Sequence, residues 1–146
     1  MRAVPPWTYV ATAEALDEEM RARIDEHRQR RGAQWQTIEA PLDLAAALAR
    51  LANGTQSVLI DCLTLWLSNV LLAERDIADE CERLIAALAE AKCPVVAVSN
   101  EVGLGIVPET PLGRAFRDAQ GILNQRVAAA ADRVILMTAG IPLTLK

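Results

Sequence analysis

Lysine, histidine, aromatic residues and long apolar runs are all scarce in this 146-residue sequence. Of its fifteen basic residues only Lys92 and Lys146 are lysines. A phosphate-cradling loop of the form G-x-x-x-x-G-K-[ST] needs a lysine followed by Ser or Thr. Lys92 is followed by Cys93-Pro94 and Lys146 is the last residue, so neither belongs to such a loop. The three cysteines, Cys62, Cys81 and Cys93, form no C-x-x-C pair, and there is a single histidine, His27. That count excludes an ordinary zinc site. An odd number of unpaired thiols points to a reducing compartment, so a cytoplasmic location is expected. The longest apolar run, 63–73, is broken by Thr64, Ser68 and Asn69. It is far short of the roughly 20 residues that cross a bilayer, and residues 1–7 carry no apolar signal core. No membrane segment is expected. A net charge of −4 and a pI near 5.0 give no basic surface for nucleic acid, so none is expected as a partner.

What is present reads as one α/β nucleotide-binding domain over residues 1–146. Four short runs rich in Val, Ile and Leu, at 7–11, 57–63, 94–99 and 133–138, lack strict alternation. That is the pattern of parallel strands buried on both faces. Helical stretches fall between them, at 13–31, 42–52, 65–72, 77–92 and 111–131. Thr12 is the expected N-cap of the first, and its acidic start and basic end suit the helix dipole. Asn53-Gly54 should end the second, and Pro111 suits the first turn of the last. Residues 140–146 should return as a short strand after a turn at Ile141-Pro142. Strand alternating with helix predicts a mostly parallel sheet with helices on both faces and right-handed crossovers. Chemistry in such sheets gathers where the strands end. There the chain offers Thr12-Ala13, Asp61-Cys62-Leu63-Thr64 and Ser99-Asn100-Glu101-Val102-Gly103. Each alone reads as a cap or turn; three at one edge point to a site.

His27 is the candidate nucleophile. At 100° per residue, Leu16, Met20, Ile24 and His27 share a sector roughly 80° wide, which places His27 at the end of a packed stripe. The plain alternative is a half-buried core histidine. Against it stand Arg21, Arg23, Arg28, Arg30 and Arg31 around the same helix end. Guanidiniums hold phosphate oxygens bidentately, and a neutral imidazole beside such a phosphate is competent to attack phosphorus. Some of these arginines should instead pair with Asp25 and Glu26. Asp61 closes a buried apolar strand, as do carboxylates that hold magnesium in phosphate-transfer enzymes. It can equally accept from the two donors of a guanine ring, or simply cap the next helix. The loop at 100–109 has glycines at 103 and 105, which permit close backbone approach to a ligand. It lacks the third glycine of a dinucleotide fingerprint, so an oxidoreductase reading is weak.

Residues 9–28 (Tyr-Val-Ala-Thr-Ala-Glu through Asp-Glu-His-Arg), 61–69 (Asp-Cys-Leu-Thr-Leu-Trp-Leu-Ser-Asn) and 99–109 (Ser-Asn-Glu-Val-Gly-Leu-Gly-Ile-Val-Pro-Glu) carry a more specific pattern. With Phe116-Arg117-Asp118 and 124–128, they resemble the bifunctional adenosylcobinamide kinase/adenosylcobinamide-phosphate guanylyltransferases of cobalamin biosynthesis. The resemblance implies a P-loop-NTPase-like, RecA-like sheet and a homotrimer. It implies two transferase reactions: phosphorylation of adenosylcobinamide with ATP or GTP, then transfer of GMP from GTP, with Mg2+, to adenosylcobinamide phosphate. By position, His27 would be the guanylylated residue. Ala11, Thr12, Ala13, Arg28, Gln29, Arg30 and Arg31 would line the nucleotide site, with Glu39 and Asp61 contacting the nucleotide. No metal ligand is assigned. Members of that family open with a strand and a G-G-x-R-S-G-K-S loop, and this sequence begins after both. The expected fold therefore lacks its first strand and P-loop, which weakens the kinase step and leaves sheet edges open to aggregation. The alternative is a non-catalytic nucleotide-binding relative.

Overall fold

The computed structural model describes residues 5–15 and 17–146, the side chain of Arg23 excepted. Leu16, the first residue of the proposed His27 stripe, lies outside the described residues. The chain divides into two compact units, one running to Asn100 and the other Glu101–Lys146.

The first unit is α/β. Its elements are β1 (Trp7–Ala11), α1 (Glu18–Arg30), β2 (Trp35–Glu39), α2 (Leu44–Leu51), β3 (Val58–Asp61), α3 (Leu63–Leu72), α4 (Ile77–Glu90) and β4 (Val95–Val98). The strands form one parallel sheet in the order β2-β1-β3-β4, flanked by helices. This is the expected class, and the ladder runs through its four strands without a gap. Successive side chains of a strand face opposite ways, and here the two faces differ. Thr8, Val10, Val58 and Ile60 are buried on one face. Tyr9, Ala11, Leu59 and Asp61 share the other, where the strand ends carry polar chemistry. The core is aliphatic apart from Trp66: Leu44 and Leu48 of α2, Leu84 of α4, and Leu63, Trp66, Leu67 and Val70 of α3 are essentially inaccessible. Each such side chain contributes about 1.5–3 kcal/mol of transfer free energy. The indole of Trp66 donates to Leu42 O at 2.9 Å, so its one polar atom is satisfied inside that core.

Several boundaries differ from expectation. The cap of α1 is Asp17, whose carboxylate accepts from Met20 N at 2.7 Å, and residues 13–15 are not helical. Thr12 is instead buried at the end of β1. Strand β2 is not expected from sequence, because Trp35-Gln36-Thr37-Ile38-Glu39 is an edge strand, exposed at Gln36, Thr37 and Glu39. An edge strand needs no continuous apolar run. Along α1, Met20 and Ile24 are half-buried while His27 is exposed. The packed stripe therefore stops before His27, which removes the reading of it as a core histidine.

The second unit holds a short 3-10 turn (Val102–Leu104), α5 (Pro111–Ala130) and a hairpin of β5 (Ile135–Thr138) and β6 (Ile141–Thr144). Thr110 caps α5 by accepting from Gly113 N at 3.1 Å, with Pro111 in the first turn as expected. At the other end Lys146 Nζ donates to Ala128 O and Ala129 O at 3.2 and 2.9 Å, a cation on the helix's terminal carbonyls. The turn lies at Ala139-Gly140, not at Ile141-Pro142. Both turn residues have positive φ, 51° and 76°, the two-residue geometry that matches strand twist. Pro142 is inside β6, opposite Met137.

Candidate functional site

The parallel register fixes what meets at the carboxyl edge of the four-stranded sheet. Ala11 is level with Glu39 on one side and with Asp61 on the other. Three of the sequence candidates thus stand in one row, contributed by three strands.

Behind that row the loops are tied together. Thr12 Oγ1 donates to Cys62 O at 2.7 Å and accepts from Cys62 N at 2.8 Å. Asn69 of α3 donates to Thr12 O at 2.8 Å and to Pro41 O at 3.0 Å. One side chain therefore links the segments leaving β1 and β2, and Thr12 links those leaving β1 and β3. The hydroxyl of Thr12 is buried and committed to this clamp, which is a positioning role. Cys62 belongs to a strand-end segment expected from sequence, whereas the role of Asn69 is not. The signal available was Asn69 as the polar interruption of an apolar helix.

In front of the row stands the last turn of α1. Arg28 pairs with Glu39 at 2.9 Å, both side chains being largely exposed. Arg31, one residue past the helix, lies over the Tyr9 ring with its guanidinium carbon 3.5 Å from the centroid. Tyr9 in turn donates from its hydroxyl to Asp61 Oδ2 at 2.6 Å. Two links, Arg28–Glu39 and Arg31–Tyr9–Asp61, hold the helix end to the strand ends. Arg30 behaves otherwise and pairs with Glu26 at 2.5 Å along its own helix, the solvated alternative. Gln29 and His27 are exposed on the same turn, and Ala13 is half-buried just past Thr12.

Tyr9, which no sequence motif marks, joins Arg31 to Asp61 in this cluster. It is buried on β1, and Trp35 meets it edge-on with ring centroids 6.3 Å apart. Burial first, and the hydrogen bond to Asp61 second, push its pKa up to about 12. The phenol is thus a permanent donor at neutral pH. Arg31 Nε is buried without a hydrogen-bond partner, a spare donor beside the same cluster. Such an unmet group fits a site that receives an anionic or carbonyl oxygen.

The loop at 100–109 is organised by its own contacts. Glu101 accepts from Gly103 N at 3.0 Å, Arg117 donates to Gly103 O at 2.7 Å, and Arg114 donates to Pro108 O and Glu109 O at 3.1 and 2.7 Å. An open depression in this second unit is lined by Gly103, Arg117, Asp118, Gly121, Ile122 and Gln125. Among the described residues no group of three or more His, Cys, Asp or Glu side chains could hold a metal ion. No helix among them is long and apolar enough to cross a membrane.

A strand-end row with a guanidinium cluster and an exposed imidazole offers groups that suit a phosphate-bearing ligand. The family model described as cobinamide kinase/cobinamide phosphate guanyltransferase matches residues 1–145. A bifunctional adenosylcobalamin biosynthesis protein CobP of Pseudomonas aeruginosa is 46% identical over 95% of this chain and 82% of its own length. Proteins named CobU, from Salmonella typhimurium and Escherichia coli, are 41% and 40% identical over 97% and 94% of this chain, and 87% and 84% of theirs. This chain belongs to the cobinamide kinase/cobinamide phosphate guanyltransferase family.

Proposed function

We propose that this chain is a nucleotide-using transferase of cobalamin biosynthesis that passes GMP from GTP to adenosylcobinamide phosphate through His27. One observation carries the assignment of the nucleophile. His27 is an exposed imidazole on the one turn of α1 that Arg28 and Arg31 tie to the strand ends.

In the first half-reaction an imidazole nitrogen attacks the α-phosphorus of GTP. The N–P bond forms, the α–β P–O bond breaks, and pyrophosphate leaves. In the second, a phosphate oxygen of adenosylcobinamide phosphate attacks the same phosphorus and the N–P bond breaks. Adenosylcobinamide-GDP forms and His27 is restored. Asp61 accepts from the N1 and N2 donors of guanine, while Arg28 and Arg31 offset phosphate charge, joined by Arg30 when its side chain leaves Glu26. Gln29, Ala11, Thr12 and Ala13 border the bound nucleotide, and Glu39 orients Arg28. The donor set suits a magnesium that keeps its waters and travels with the triphosphate, since such an ion needs few protein carboxylates. When bound it neutralises charge on the phosphates. Phosphorylation of adenosylcobinamide by ATP or GTP, a homotrimeric assembly and a cytoplasmic location belong to the same reading.

The test is incubation with α-labelled GTP and magnesium. Label should bind covalently, survive alkali, be released by acid, fall to background in His27→Ala and persist in Arg83→Ala, an exposed residue of α4. Label that persists undiminished in His27→Ala sinks the role of His27. No label on any variant favours the non-catalytic relative.

A further inference from the structure

We propose that Tyr9 is a positioning residue for base selectivity, holding the Asp61 carboxylate in the one orientation that accepts the guanine edge. The inference rests on the reading of Asp61 as the group that meets guanine.

An aspartate at a strand end has two free torsions and would present its oxygens in many directions. The phenol removes that freedom. Its 2.6 Å hydrogen bond to Oδ2 is short and charge-assisted. A carboxylate has about four acceptor positions, so one occupied by Tyr9 leaves enough for both N1–H and the N2 amino group. Tyr9 cannot follow Asp61 if it turns, because the phenol is itself fixed. The residue is 7% exposed, with Arg31 over the ring and Trp35 at its edge. The register explains the reach. Tyr9 is level with Leu59, and Ala11 with Asp61, so Tyr9 and Asp61 share a face and stand diagonally two residues apart. Adenine presents an acceptor at N1, which an ionised carboxylate held in this way repels. Selectivity for guanine therefore depends on an orientation that Asp61 does not fix by itself.

The chain has one tyrosine, so biosynthetic replacement by 3-fluorotyrosine labels Tyr9 alone and keeps its hydroxyl. GMP should move the fluorine resonance, and AMP at the same concentration should leave it in place. Tyr9→Phe keeps the ring under Arg31 and should weaken GMP binding about tenfold, leaving AMP within about twofold. Asp61→Asn should lose GMP preference as well. If Tyr9 acts through Asp61, the double variant binds GMP no worse than Asp61→Asn alone. At saturating GTP, Tyr9→Phe should still label His27 at the full rate, so that the loss lies in KM. If Asp61→Asn leaves GMP binding unchanged, the reading of Asp61 falls and this proposal with it. If Asp61→Asn matters while Tyr9→Phe does not, or their effects add, the positioning role alone is overturned. Should Tyr9→Phe fail to fold, the fluorine signal decides: a shift with GMP alone supports the role, and equal or absent shifts reject it.

Discussion

Tyr9 joins three kinds of interaction in one side chain: burial, a hydrogen bond to a carboxylate and a guanidinium over its face. A consequence at the residue scale is a pH dependence on the alkaline side. Its pKa is about 12 in the folded chain against 10.0 for an unperturbed tyrosine. The protonated phenol is the form that folding favours, so its contribution is complete below pH 10. It is lost as the pH rises from about 10 to 12. Urea midpoints should hold steady from neutrality to pH 10 and then fall, with a smaller fall in Tyr9→Phe. An identical fall in both proteins would show that Tyr9 is not the group. The exposed Arg28–Glu39 pair is different in kind. Between solvated side chains such a pair is worth at most about 1 kcal/mol. Its value is in orienting the end of α1, not in holding the fold.

Among elements, the decisive contacts lie where strands become loops. Asn69 and Thr12 satisfy backbone groups of Pro41, Thr12 and Cys62 at the ends of three strands. Thr12→Val keeps the shape and strands the Cys62 N–H, which should cost about 1–3 kcal/mol. Chemical denaturation measures that loss, and labelling of His27 should fall with it if the clamp sets the site. Unchanged stability would mean that water replaces the hydroxyl. Leu84 tests the other side of the unit, where α2 and α4 pack together. It is fully buried, so Leu84→Ala should cost about 2–5 kcal/mol. A loss below 1 kcal/mol, on the same scale, would show a site that collapses freely around the cavity.

For the whole molecule, the telling feature is apolar surface left in solvent. Ile135 and Met137 of β5, Ile141 and Leu143 of β6, and Leu145 are all exposed, as are Val96 and Val98 of β4. The antiparallel register sets Ile135 and Met137 on one face of the hairpin and Ile141 and Leu143 on the other, and exposed apolar faces of this kind mark a contact surface or an aggregation hazard. Light scattering should therefore give a mass above the 15.8 kDa of one chain. The pair Ile141→Lys and Leu143→Lys should move it toward that value. An unchanged mass in the double variant would exclude the hairpin as the contact.

Composition and order alone determined the class: apolar strands without alternation, helices between them, and a histidine among arginines. Those signals are local, and β1, β3, β4 and the start of α5 fall where they predict. The resemblance in residues 9–28, 61–69 and 99–109 likewise needed no coordinates. Edge strand β2 escaped because a strand with one neighbour and an exposed face needs no apolar signature. The cap of α1 was misplaced because Thr12, a good cap residue by type, is claimed by Cys62 fifty residues away. Only tertiary structure could bring Glu39, Ala11 and Asp61 level, expose His27, and set Tyr9 between Arg31 and Asp61. Parallel register pairs residues that are tens of positions apart, and no local pattern in the chain records which ones will meet.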